Sequence, residues 1–152
     1  MTKTLRHHSR ACLVVLALLL PVAASLPVAA DTSNRFVGTV LFVRHALAPG
    51  FGDPSNFSTS DCSTQRNLDE TGRGQAREIG TQLAAADIKF SAIYSSYWCR
   101  CLETAKLLNL GKITPFDGLN SFYQEYVQRA STLERLQQKL DSLPQNAPPI
   151  IM

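Results

Sequence analysis

Hydrophobic and polar positions divide the chain into a leader and an alternating α/β body. Residues 31–36 form a polar lead-in, and Val37 to Val43 is a β-branched, apolar run of the kind that fills a buried parallel strand. Residues 46–65 are rich in Pro, Gly, Ser and Asn and read as a loop of about twenty residues. In a compact domain, loops of that length usually bind something or are disordered. Asp69-Glu70-Thr71 places acidic groups at the start of a helix, whose inward positions are Ala76, Ile79, Gly80, Leu83 and Ala84. Phe90 to Tyr94 predicts a second strand, and Ser95-Ser96 a cap for a second helix with Leu102, Ala105 and Leu107/Leu108 facing inward. After a polar turn over residues 115–121, Leu133, Leu136, Leu140 and Leu143 mark a third helix whose stripe reads as core packing. Ile150-Ile151 ends the pattern as a further apolar strand. Alternation of this kind argues for helices layered on a mainly parallel sheet, with active residues gathered at the carboxyl ends of its strands.

The first thirty residues stand apart. Lys3, Arg6 and Arg10 precede the apolar stretch Ala11 to Leu20, and Pro21 and small residues lead to Val28-Ala29-Ala30. That is the order of a Sec-type secretory signal with cleavage near Ala30, so a periplasmic or secreted domain from residue 31 with no stable membrane anchor is expected. An uncleaved anchor is the alternative, and Pro21, Ser25 and Pro27 argue against it. Cys12 lies too early to serve as a lipoprotein cysteine.

Removing three of the fifteen basic residues leaves twelve against twelve acidic ones, so the basic isoelectric point near 8.8 belongs to the leader. A neutral body without a basic run gives no electrostatic case for nucleic acid. Export also permits disulfides. Of Cys62, Cys99 and Cys101, two can bridge and one is left over. If residues 98–108 are helical, Cys99 and Cys101 diverge by about 200° and cannot pair with each other, so either can pair with Cys62. Three thiols with no second histidine nearby make a poor zinc set, and neither metal nor cofactor is expected.

Arg44-His45 follows the first apolar run, where a strand ends and a loop begins, a place suited to presenting an imidazole that accepts a phosphoryl group. Arg100 falls in the first turn of the second helix, where free backbone N–H groups and the helix dipole favour an anion. Arg66 and Asn67 are placed either to touch a substrate from the loop or to cap the next helix. Trp98 and Tyr97 suit either a pocket wall or a lid over the core. Two guanidiniums converging on one imidazole satisfy the main demand of phosphoryl transfer, which is to position the group and neutralise its oxygens, and arginine does this bidentately.

Three blocks in order, Leu41-Phe42-Val43-Arg44-His45-Ala46, the run from Asn67 to Ala76, and the run from Tyr94 to Ala105, resemble the histidine phosphatase superfamily in its phosphoglycerate-mutase-like branch. The resemblance covers about residues 39–123. It implies an α/β three-layer sandwich, a phosphohistidine nucleophile at His45, phosphoryl-binding roles for Arg44 and Arg100, and a small phosphorylated substrate. It also implies three departures. Ala46 replaces a usual glycine, and Leu119-Asn120-Ser121 lacks the mutase-type acid/base glutamate. The second active-site histidine expected after a late strand is missing beyond Ile150-Ile151-Met152. The general acid is therefore unassigned, with Asp53, Asp61, Asp117 and Glu125 as possibilities, and the domain is expected to be shortened at its C-terminus and impaired in turnover. Export disfavours mutase activity. The remaining readings are a phosphomonoester hydrolase, an inactive anion-binding module of the same fold, or an interaction protein exposing its leucine-striped helix. Neither the identity of the substrate nor the oligomeric state is written in the sequence.

Overall fold

The computed structural model describes residues 36–151, the side chain of Ile151 excepted, so the leader lies outside the described residues. The elements run β1 (Val40–Leu41), α1 (Glu70–Ala85), β2 (Ala92–Ser95), α2 (Cys99–Leu108), β3 (Ile113–Pro115), α3 (Arg129–Asp141) and β4 (Ile150–Ile151). Short 3-10 turns lie at Cys62–Thr64, Asp117–Leu119 and Tyr123–Glu125. All strand pairs are parallel, in the order β1-β4-β2-β3, so the last strand in sequence lies inside the sheet. Its register sets Ile150 opposite Val40 on one side and Ala92 on the other. Further bonds from Ile150 N–H to the Thr39 carbonyl and from Ser91 N–H to the Pro149 carbonyl extend the seam.

Side chains alternate across a strand, and β2 shows which layer covers each face. Ile93 is buried in a cluster with Ala105 of α2, Leu83 of α1, Val43 and Ile113. Its neighbour Tyr94 takes the opposite face, where Lys139 of α3 lies 5.0 Å above the ring and Phe116 meets it edge-on. Helices therefore flank both faces of the sheet, in the three-layer arrangement the sequence predicts.

Helix α1 begins as expected. The Asp69 carboxylate accepts the Gly72 N–H at 2.7 Å, and Glu70 lies in the first turn. Its buried face is made of small residues, Gly72, Ala76 and Gly80, and the anticipated Ile79 is exposed. A Cβ at Gly72 would overlap the Leu47 carbonyl, and one at Gly80 the Leu108 carbonyl. Two glycines thus let α1 press against the segment after His45 and against the end of α2, bringing into register the two pieces of chain that carry Arg44-His45 and Arg100.

Five expectations need correction. The run Val37 to Val43 forms only a two-residue ladder, and Leu41 and Phe42 are exposed rather than buried, because β1 is, among the described residues, an edge strand paired with the short β4. Ser95-Ser96 does not cap α2: Ser95 is the last residue of β2, the chain bends through Tyr97, and Trp98 takes the cap position without a cap bond from its own side chain. The stretch read as a polar turn from residue 115 is preceded by a strand, β3, short and ended by a proline. The leucines of α3 are only partly covered, with Leu133 exposed, and the fully buried residue of that helix is Thr132. The buried face of α2 is also more polar than anticipated. Arg100, Thr104, Ala105 and Leu108 are buried on it, because that face looks onto the site described next.

Candidate active site

His45 lies four residues after β1's second position, Leu41, and the chain is pinned there by Ala46, whose buried N–H donates to Thr104 Oγ1 at 3.1 Å. Thr104 in turn donates to the Arg100 carbonyl at 2.7 Å, so α2 fixes the backbone beside the imidazole. Ala46 itself packs with Ala48, Leu68 and Ala76, which is how a methyl group is accommodated at the position after the histidine.

The His45 Nδ1 lies 2.7 Å from the Ala46 carbonyl oxygen. A carbonyl can only accept, so Nδ1 carries the proton and Nε2 keeps its lone pair. Burial depresses the imidazole pKa below 6.5. The Ala46 hydrogen bond opposes this, while the positive charges of Arg100, Arg66 and Arg44 push it further down. The ring is neutral at pH 7, with a free nitrogen facing three cations.

These three arginines differ. Arg44 is exposed on the rim. Arg66 is anchored through Nε to the Gly52 carbonyl at 3.0 Å and through Nη1 to the Ala48 carbonyl. Arg100 is buried, its side chain 7% exposed, against an Asp53 carboxylate that is 0% exposed. Nη1 of Arg100 reaches Oδ1 of Asp53 at 2.8 Å and Nη2 reaches Oδ2 at 3.2 Å, an end-on fork. Asp53 also accepts from the indole N–H of Trp98 at 3.0 Å and from the Arg66 N–H at 2.8 Å. Burial alone would raise the Asp53 pKa, but these donors outweigh it and hold the carboxyl below the ordinary range.

The long loop is an organised strap. A disulfide joins Cys62 to Cys99, the first residue of α2, and Cys101 is free. Gln65 accepts the Cys99 N–H through Oε1 at 2.8 Å and donates to the Ser58 carbonyl through Nε2, so the first N–H of α2 is occupied by the loop and is not open to an anion. Phe57 stacks on Trp98 with ring centroids 5.1 Å apart, and Tyr126 packs on both. The Tyr126 hydroxyl accepts the Asp53 N–H at 2.9 Å.

A cleft of about 680 Å³ opens over this ground, walled by Arg44, His45, Arg66, Arg100, Asp53 and Trp98 among others. An adjoining cavity of about 380 Å³ shares Arg44, His45, Ser96 and Cys101 with it. Burial pushes the Cys101 thiol up, so at neutral pH it is a protonated wall residue rather than a thiolate.

The structure brings Arg44, His45 and Arg100 to one cleft and adds Arg66, which the sequence left between touching a substrate and capping the next helix, and Asp53, a candidate acid that instead partners Arg100. Of the four candidate acids, only Asp53 lines the cleft. Asp61 is exposed and caps the turn at Cys62–Thr64, Asp117 pairs with Arg135, and Glu125 is exposed in a turn. Asn67 donates to the Cys62 and Gln65 carbonyls and so holds the strap. Asn120 accepts the Tyr97 N–H, and Ser121 lies on the cleft wall. Glu70 and Glu103 pair with Arg73 and leave Arg100 to Asp53.

Comparison with known proteins places these features. Residues 40–142 match the profile described as histidine phosphatase superfamily (branch 1). A search of curated proteins gave no match. Among solved structures, the chain resembles an Agrobacterium tumefaciens protein assigned the name phosphohistidine phosphatase SixA. The TM-score is 0.51 at 22% identity, over 74% of this chain and 65% of that one. A Nakamurella multipartitia protein assigned the same name gives 0.47 at 16% identity, over 76% and 55%. The chain thus spans less than two thirds of the length of either structure. The first likeness supports the fold; the profile, which runs through Arg44, His45, Arg66 and Arg100 and covers more than half of the sequence, shows that this chain belongs to the histidine phosphatase superfamily.

Proposed function

We propose that the chain is a phosphomonoester hydrolase that passes the phosphoryl group through His45. The observation that carries this reading is the neutral imidazole with its proton fixed on Nδ1, facing three guanidiniums across one cleft. Arg44, Arg66 and Arg100 attract and orient the phosphoryl oxygens, and Nε2 attacks phosphorus as the bond to the leaving oxygen breaks. Water then attacks the phosphohistidine and releases inorganic phosphate. Small phosphorylated molecules are the substrate class this reading takes, on the strength of the open cleft and its three guanidiniums.

Protonation of the leaving group is the step with no evident donor among the described residues. Asp53 is the carboxyl on the cleft wall and is held as an anion, and His45 is the one histidine among the described residues. A general acid typically contributes a hundredfold to ten-thousandfold, so substrates with acidic leaving groups should be favoured. The test is a series of substituted phenyl phosphates. The rate kcat/KM should fall by about a hundredfold or more from nitrophenyl to unsubstituted phenyl phosphate. A flat series would mean that an acid in the cleft protonates the leaving oxygen. Phosphate binding without turnover, even of the nitrophenyl ester, would favour the inactive anion-binding module, the reading that the missing proton donor also supports.

The pH dependence follows from the same geometry. With the His45 pKa lowered, the acidic limb of kcat/KM is expected below pH 6.5, because the nucleophile is lost only when the ring protonates. Replacing Arg44 by alanine removes one repelling cation and should move that limb to higher pH. A limb that stayed fixed or moved downward would mean that another group titrates.

We further propose an exported, oxidising location. The N-terminal signal pattern and the Cys62–Cys99 bond both support it, since such bonds persist outside the reducing cytosol. Among the described residues, no helix is long and apolar enough to cross a membrane. Amino-terminal sequencing of exported protein should begin at Asp31, and soluble cytoplasmic protein that retained Met1 would contradict the proposal.

A further inference from the structure

We propose that Asp53 is the positioning residue of the phosphoryl site: it grips Arg100 by one edge, ties Arg66 to the same carboxylate, and lowers the charge facing His45 to match a phosphomonoester dianion. The inference rests on the phosphatase reading above and adds a role for a residue of the strap.

The geometry is specific. A guanidinium has two bidentate edges, the Nη1/Nη2 end and the Nε/Nη2 side. Asp53 takes the end through both of its oxygens. Nη1 is used further by the Arg66 carbonyl at 3.2 Å. Among the described residues, the buried Nε has no hydrogen-bond partner and Nη2 bonds only to Asp53, so the side edge keeps its donors. A buried charged group that spends one edge on a fixed carboxylate is held in a single orientation, which is what bidentate recognition by the other edge requires.

Asp53 is itself held from four directions. Its side chain takes the Trp98 indole N–H and the Arg66 N–H as well as Arg100, and its own N–H donates to Tyr126. Arg66 then returns to the same stretch of strap through Gly52 and Ala48. Arg66 and Arg100, one from the strap and one from α2, thus form a single unit around one carboxylate.

The charges complete the argument. Arg44, Arg66 and Arg100 all act on His45, and Asp53 cancels one of the three. Two net positive charges balance the dianionic ester. Three would hold inorganic phosphate, the product, more tightly and favour its retention over turnover.

The experiment uses the full chain with Asp53→Asn and Asp53→Glu, inorganic phosphate binding by calorimetry, nitrophenyl phosphate turnover, and thermal melts. Asp53→Asn is expected to bind phosphate roughly tenfold tighter at low salt, with kcat reduced about tenfold or more. Asp53→Glu keeps the charge but moves it, so phosphate binding should stay within about twofold of the parent while kcat falls about tenfold. A purely structural role would instead weaken phosphate binding and turnover together. If Asp53→Asn binds phosphate no tighter than the parent, or Asp53→Glu turns over at the parent rate, the proposal is overturned. If Asp53→Asn does not fold, the Glu variant decides alone. A parent that fails to bind phosphate would overturn the phosphatase reading, and this inference with it; a parent that binds phosphate keeps the two failures distinct.

Discussion

Replacing Arg100 with methionine is expected to destabilise the fold by about 3–5 kcal/mol at neutral pH, a large share of the total for a domain of this size. Methionine fills similar space, so the loss is electrostatic. It leaves the Asp53 carboxylate, 0% exposed, with only the Trp98 indole and one backbone N–H as donors. In the parent, Asp53 has a lowered pKa, so its contribution is fully present above 3.8 and is lost as pH falls through the lowered value. In the variant the sign reverses, because burial without the guanidinium favours the protonated carboxyl. The gap between parent and variant should therefore be widest near neutrality and narrow as pH falls toward 3.8. Urea unfolding at several pH values measures it. A gap below about 1 kcal/mol, or one that widened on acidification, would mean that the pair does not hold the strap to α2.

Removing the Cys62–Cys99 bond should have an effect of similar size. The bond closes a separation of 37 residues, and loop-closure entropy for that length is worth about 4 kcal/mol through its effect on the unfolded chain. The double variant Cys62→Ser/Cys99→Ser should show that loss in urea, and reduced parent protein should show the same. The consequences should reach the cleft, because Asp53 lies in the strap before the bond, Arg66 just after it, and Arg100 beside Cys99. Weaker phosphate binding is expected in both reduced and serine forms. An unchanged unfolding midpoint would show that Gln65, Phe57 and Trp98 hold the strap unaided.

What was legible in the sequence was mostly local. Arg44-His45 after an apolar run, the acidic start of α1 at Asp69-Glu70 and the apolar Ile150-Ile151 each depend on neighbours a few residues away, and each pattern survives into the fold as an element or close beside one. The start of α2 was misread because Ser95 and Ser96 are good caps by type. The Trp98 indole is instead drawn to Asp53, and Trp98 takes the cap position three residues beyond Ser95. Strand β3 left little signal, being three residues long with a proline at its end, and it exists because β2 supplies the partners. The disulfide partner stayed open between Cys99 and Cys101 until the backbone decided it: at the first turn of α2, Cys99 faces the strap and Cys101 the cleft.

The least legible part of the site is also its organising part. Asp53 and Arg100 are 47 positions apart, and Asp53 sits between Gly52 and Pro54 in a stretch that reads as ordinary turn composition. Nothing periodic links a loop aspartate to a helix arginine, so the pair appears only once α2 and the strap are folded together. Arg66 was visible as a basic residue near a helix start, but its direction toward His45 is set by the Gly52 and Ala48 carbonyls, which only the folded loop presents.

The most direct test of the account is to trap the phosphoenzyme. Protein mixed with labelled nitrophenyl phosphate and quenched in base should carry one phosphoryl group on the peptide containing His45, lost in mild acid as a phosphoramidate is, and His45→Ala should show neither label nor turnover. Label on Ser96, Ser121 or Cys101, or parental hydrolysis by His45→Ala, would contradict the account.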